Sequence, residues 1–110
     1  GFYVADKIFS SLNAGQYDPF LEIYAPNAVL VTSEETIQTN AEIRGFWGRI
    51  LTNKLNDGIF TITSKQITGN TIHYTWKCTS YRGKVKDGQD TIGIKNGKVI
   101  YHYCHFNIVV

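Results

Sequence analysis

TIHYTWKCTSY (71–81), QDTIGIK (89–95) and KVIYHYCHF (98–106) are the stretches whose reading decides the fold. Apolar residues alternate with polar ones in each, the period of a strand with one buried face. RGKVKDG (82–88) joins the first pair and Asn96-Gly97 the second. Asn-Gly between alternating runs predicts a type I′ hairpin, because both turn residues must accept positive φ. The three segments hold all three histidines, His73, His102 and His105, and both cysteines, Cys78 and Cys104. They also carry Tyr74, Trp76, Tyr81, Tyr101 and Tyr103. A chain that handles a ligand would use this sheet as the wall of its site.

Working outward, IFTITSKQIT (59–68) reads as a long strand, with Gly69-Asn70 turning into Thr71. That makes a meander of four. Upstream, AEIRGFWGRILTNKL (41–55) has helical spacing, with Ile43, Phe46, Trp47, Ile50 and Leu51 on one side and a cap at Thr39 or Asn40. Gly45 and Gly48 weaken that helix and allow a close approach. Ala28–Thr32 and Thr36–Gln38 form a short hairpin. Asp18-Pro19 opens a second helix whose stripe is Phe20, Leu21, Ile23 and Tyr24, ended by Ala25-Pro26-Asn27. Phe2–Asn13 is the first helix, with apolar residues at 2, 4, 5, 8, 9 and 12 and a C-cap at Gly15. Helices gathered first and strands last predict an α+β domain, three helices on one face of a strongly curved antiparallel sheet. Such a cone leaves a pocket at its open end.

At 110 residues the chain fits one domain, 1–110. A net charge of +2 with 18% charged residues gives no nucleic-acid footprint, despite a pI near 8.6. No apolar run approaches the ~20 residues of a membrane helix. The N-terminal residues show no cationic, apolar and small-residue pattern, so no signal peptide is expected in this stretch, and the absence of Met suggests a trimmed chain. The compartment stays open, with the cytoplasm favoured. Cys78 and Cys104 sit on strands placed two apart, about 9–10 Å, too far for a bridge. Both are expected as free buried thiols. No CxxC or finger spacing occurs, and no cofactor is expected.

Leu12-Asn13-Ala14-Gly15, Tyr24-Ala25-Pro26-Asn27-Ala28-Val29-Leu30, Ile43-Arg44-Gly45-Phe46-Trp47 and Asp90 through Lys98 together resemble the nuclear transport factor 2-like superfamily and, within it, the SnoaL-like domains. The resemblance runs over nearly the whole chain. It implies the cone fold, and it leaves function open among isomerases, dehydratases, cyclases, epoxide hydrolases, binders and assembly modules. Ketosteroid isomerases, one branch, use a helix tyrosine, an aspartate base on the first strand and a protonated aspartic acid in the sheet. The matching positions here are Ile8, Thr32 and Asp90. Only the last survives, so that activity is not expected. An epoxide-hydrolase aspartate–arginine–aspartate set is not evident either.

Asp90 shares a face with Ile92 and Ile94. Either that face is the cavity, where a desolvated carboxylate makes an acid–base group, or Asp90 lies solvated at the strand's edge after Asp87-Gly88. Ile100, His102, Cys104 and Phe106 share the face that looks inward, which aims His102 at Asp90 on the next strand; a proton could shuttle between them. The alternative is a histidine bonded into the wall. Tyr74, Trp76 and Trp47 either line a ligand site with Phe106 or belong to the core. Tyr101 and Tyr103 then point outward, an aromatic face suited to a homodimer. His73 and His105 read as surface residues, and the alternation of the histidines argues against a metal. The expected function is binding, and transformation, of a small, mostly apolar molecule in the cone by cofactor-free chemistry of Asp90 and His102. The alternative is a non-catalytic binding, dimerisation or docking module using the outer sheet face.

Overall fold

The structure, a computed structural model, describes residues 3–110. Phe2, placed by its spacing on the first helix, lies outside the described residues. Helix α1, Tyr3–Asn13, buries Val4, Ala5, Ile8, Phe9 and Leu12. Gly15 ends it at φ 67°, its N–H donating to the Leu12 carbonyl while that of Gln16 donates to Ser11. Asn13 fastens the helix to the sheet like one rung of a ladder. Its Nδ2 donates to the Phe60 carbonyl at 2.9 Å and its Oδ1 accepts from the Phe60 N–H at 2.6 Å.

Helix α2 is a single turn, Phe20–Ile23, and Asp18 does not cap it. Asp18 instead pairs with Arg44 on the third helix at 2.5 Å. The expected stripe splits accordingly: Phe20 and Ile23 are buried, Leu21 is 41% exposed, and Tyr24 already belongs to a strand. That strand, β1, spans Tyr24–Val31 and contains Pro26, the residue read as a helix stop. Tyr24 pairs with Val99 and Val29 with Tyr101, so five steps on β1 match two on its neighbour. The bulge gives proline, which has no N–H for a ladder, a place to sit.

β2 is Thr36–Gln38 and α3 is Asn40–Asn53. Thr39 caps α3, its Oγ1 accepting from the Glu42 N–H at 3.2 Å. Ile43, Phe46, Trp47 and Ile50 are its buried stripe. Gly48 is where Tyr17 lies against the helix, since an added Cβ would stand 3.4 Å from that ring. The meander follows: β3 Ile59–Thr68, β4 Thr71–Thr79, β5 Lys84–Lys95 and β6 Lys98–His105. Asn96 and Gly97 take φ 54° and 77°, the expected tight hairpin. One boundary moves. The turn between β4 and β5 is Ser80–Gly83, and 84–88 is already strand, bent by a register shift between Trp76 and Cys78.

The six strands form one sheet in the order β2-β1-β6-β5-β4-β3. All neighbours are antiparallel except β1 and β6, which run parallel. The curved α+β cone with three helices is as expected; the parallel seam is the addition. β6 reaches an inner position because the chain returns to its first strand with its last.

Candidate functional site

The inward face is the one the alternation gives, except at the start of β6, where Val99 and not Ile100 is buried because the register with β5 shifts between Gly93 and Ile94. Ile72, Tyr74, Trp76 and Cys78 on β4, Asp90 and Ile92 on β5, and His102 and Cys104 on β6 are all buried. Asp90 is opposite Cys104 across one ladder and Tyr74 across the other. It is 5% exposed and His102 0%, so Asp90 is not at a solvated edge. Both cysteines are free.

The polar groups on this face are joined. Oδ2 of Asp90 lies 2.5 Å from Nε2 of His102, and Oδ1 accepts from Nε1 of Trp76 at 2.7 Å. The other imidazole nitrogen, Nδ1, is 2.8 Å from the Tyr24 hydroxyl, which accepts from Nε1 of Trp47 at 3.3 Å. Hydrogen-bond bookkeeping assigns the tautomer. Trp47 can only donate, so the Tyr24 O–H is free to donate to Nδ1, and the imidazole proton then sits on Nε2 and faces Asp90. The reverse assignment would strand a buried hydroxyl proton. The Tyr74 hydroxyl is 3.3 Å from Nε2, and both it and the Cys104 thiol turn toward Asp90.

Electrostatics keep these protons in place. Burial pushes the Tyr24 phenol well above its usual range, the Trp47 hydrogen bond only partly offsetting it. Burial and then the Asp90 charge do the same for Tyr74, and likewise for the Cys104 thiol. The buried Asp90 side chain is thus surrounded by groups that hold their protons. No polar side-chain atom of the network lacks a partner among the described residues.

Trp47, Tyr74 and Trp76, read as possible ligand walls, are exposed by no more than 2% and face other rings. Trp76 lies tilted against Phe60 and Phe106, and Phe9 packs edge-on to both Tyr74 and Trp76. The interior of the cone is therefore filled by its own aromatics. Of the four, Tyr74 reaches the edge of a hollow on the outer face, and Phe106 borders a second open space. That space is the cone mouth, about 280 Å³ between α3 and the end of β6. Phe46, Ile50, Phe106 and Ile108 form its apolar side, Ser33, Glu34, Glu35 and Lys54 its polar rim, and Cys104 part of its floor.

A larger hollow, about 600 Å³, lies on the other face of the sheet. Gln66, His73, Thr91, Tyr103 and Val31 form one register row across it, and Ser64, Thr75, Gln89 and His105 the next. His73 and His105 are on the surface, as expected. Tyr103 is 54% exposed, but Tyr101 is half-buried: its ring lies flat over Gly93, where a Cβ would collide with it, and its hydroxyl is 3.2 Å from Thr71 Oγ1. The outer face is therefore more polar than the alternation of tyrosines suggested.

Two members of the buried network were not singled out from the sequence. Tyr24 was counted with a helix, because Pro26 two residues on reads as a helix stop. Cys104 was read only as a buried thiol, although its place opposite Asp90 follows from the hairpin register.

A family model for the SnoaL-like domain matches residues 5–102. No curated protein matches the chain in sequence. Among solved structures, a candidate SnoaL-like polyketide cyclase from Jannaschia sp. CCS1 superposes with a TM-score of 0.84 at 11% identity, covering 96% of this chain and 83% of its own. A candidate ketosteroid isomerase from Kribbella flavida DSM 17836 gives 0.80 at 18% identity, covering 96% and 76%. A de novo designed protein with a curved β-sheet gives 0.82 at 17% identity, covering 96% and 83%. At these identities the likeness concerns the fold alone.

Proposed function

The chain belongs to the SnoaL-like domain family, and we propose that it is a ligand-binding member whose small, mostly apolar ligand sits in the cone mouth. The observation that carries this reading is the contrast between two places. The mouth is open, with Phe46, Ile50, Phe106 and Ile108 behind a polar rim. The Asp90–His102 pair is closed, and its donors and acceptors are already matched to one another. Ligand sites combine apolar walls with a few convergent polar groups. The mouth has both. On this reading Asp90 and His102 hold the wall rather than touch the ligand, and isomerase-, dehydratase- or cyclase-type turnover requires Phe106 and Cys104 to move aside first.

The test is amide NMR of the whole chain with a panel of terpene- and phenol-sized compounds. Shifts confined to Phe46, Ile50 and Cys104–Ile108, abolished by Ile50→Trp, are the expected result. Shifts confined to the outer rows, or none with any compound, would sink the reading.

A second reading has one observation in its favour, the hollow of about 600 Å³ on the outer face with Tyr103 beside it. A second copy of the chain would fill it and make a homodimer. Sedimentation equilibrium decides: a dimer that Tyr103→Lys converts to monomer supports this pairing, and a monomer at all concentrations removes it.

A further inference from the structure

We infer that Asp90, His102 and Cys104 form a binding site for a borderline-soft divalent cation, zinc above all. It goes beyond the mouth's ligand and needs none of it. One carboxylate oxygen, one imidazole nitrogen and the thiol sulfur lie within 4.8 Å of one another, and all three side chains are buried. An Asp-His-Cys set offers oxygen, nitrogen and sulfur together, a combination that suits zinc and does not suit the hard cations magnesium or calcium. Zinc takes sulfur at about 2.3 Å and nitrogen or oxygen at about 2.0–2.2 Å in a tetrahedron. Ligand atoms at those lengths stand about 3.3–3.7 Å apart in a tetrahedron, so Asp90 and His102, now at 2.5 Å, must part by roughly 1 Å and the Cys104 sulfur must draw in, both side-chain movements.

The backbone fixes them in a facet. His102 and Cys104 are two apart on β6 and so share a face, and Asp90 stands directly opposite Cys104 on β5. The outer partners of a metal site are present as well. The Tyr24 hydroxyl meets Nδ1 at 2.8 Å, which turns Nε2 toward the other two ligands, and Trp76 holds the free carboxylate oxygen at 2.7 Å. A ligating histidine ordinarily donates its second N–H to such a partner, the direction this bond takes once the imidazole proton is on Nδ1. Cys104 borders both the mouth and the outer hollow, so the site is one side chain from solvent on either side.

Metal and proton compete for the site. Zinc displaces one proton, that of the thiol, while the carboxylate gives none. The single imidazole proton moves from Nε2 to Nδ1, where it donates to the Tyr24 oxygen. That leaves the Tyr24 hydroxyl proton without its acceptor, a smaller loss than three metal–ligand bonds gain. The alternation of the three histidines argued against a metal only because it left out the thiol and the carboxylate; one histidine suffices here.

The experiment uses the full chain, stripped with a chelator and titrated with Co²⁺ as a spectroscopic stand-in for zinc. Expected are one-to-one binding at micromolar protein, a near-ultraviolet thiolate-to-cobalt band and competition by Zn²⁺. Cys104→Ser should abolish the band, while Cys78→Ser and the paired surface change His73→Asn with His105→Asn leave it intact. No band, a band that survives Cys104→Ser, or a band lost with the surface histidines overturns the proposal. Should Cys104→Ser fail to fold, the ¹⁵N shift of His102 Nε2 in the unaltered chain decides. A large change on adding Zn²⁺ supports the site, and an unchanged shift overturns it.

Discussion

Nε2 of His102 stands 2.5 Å from Oδ2 of Asp90 in a wall where both side chains are buried. Removing one partner of a buried pair leaves the other without its match, which typically costs about 3–5 kcal/mol. Asp90→Asn is therefore expected to lower unfolding stability by several kcal/mol in urea titration, with the m-value unchanged. The double variant Asp90→Asn with His102→Gln should cost less than the sum of the two single changes, because they share a network, and the cycle should return a coupling of at least about 1 kcal/mol. A coupling near zero would mean the pair is not what holds the wall.

Tyr24 and Tyr74 both approach His102 and should not be equal. Among the described residues the Tyr24 hydroxyl alone bridges Trp47 and Nδ1, at 3.3 Å and 2.8 Å. Tyr24→Phe strands a buried donor and a buried acceptor, for a loss of about 1–3 kcal/mol. Tyr74→Phe gives up a looser contact at 3.3 Å and leaves Asp90 with Trp76 and His102. Its cost should stay near 1 kcal/mol. Chemical denaturation of the two variants checks the order.

Gly88 and Gly93 are both places where a ring lies on bare backbone, and a Cβ would collide with Trp76 at the first and Tyr101 at the second. Trp76 is 2% exposed and wedged among Phe9, Phe60 and Phe106. Gly88→Ala has nowhere to send that ring, so a loss of about 2–3 kcal/mol and a red-shifted tryptophan emission are expected. Tyr101 is half-buried on the outer face and can swing away. Gly93→Ala should cost less than Gly88→Ala, and equal costs would contradict this picture.

Alkaline stability follows from the protons held inside. Cys78 is pushed up to about 11 by burial, and Tyr24, Tyr74 and Cys104 are raised well above their ordinary values. For each group the unfolded chain ionises first. Between the unfolded and folded values it binds fewer protons than the folded chain, so stability falls as pH rises. The contribution is complete below about pH 8.5, where ordinary thiols begin to ionise, and erodes from there through pH 10, where phenols join. Each group adds at most about 1.4 kcal/mol per pH unit to the slope. Urea unfolding at pH 8–11 should show a steepening decline, flatter in Tyr74→Phe; a flat profile to pH 11 would contradict these shifts.

The hairpin at Asn96-Gly97, the inward face of β4 and that of β6 from His102 on were legible, while the burial of Asp90 beside His102 was one of two readings the pattern left open. Each depends on period-two alternation and on turn residues that announce their own φ. What escaped was decided by long-range pairing. Tyr24 joins β1 because Val99 is there to receive it, and no local signal near Pro26 says so. Gly88 looked like half of a turn, yet it is a strand residue kept bare for Trp76. Whether the cone is hollow depends on how Trp47, Tyr74, Trp76 and Phe60 share one volume. Alternation gives the direction of a side chain and is silent about how much room is left.

The parallel seam between β1 and β6 has a consequence for synthesis. Two ladders, β2 with β1 and β3 with β4 and β5, can form as soon as their strands leave the ribosome, but each keeps an open edge. β6 closes both at once and brings His102 to Tyr24 and Asp90 in the same step. Until residues 98–105 emerge, the nascent chain carries two unpaired strand edges and a carboxylate without its imidazole, the state most open to mispairing. Pulse-labelled hydrogen exchange should find the amides of β1 and β6 gaining protection together, after those of β3 and β4.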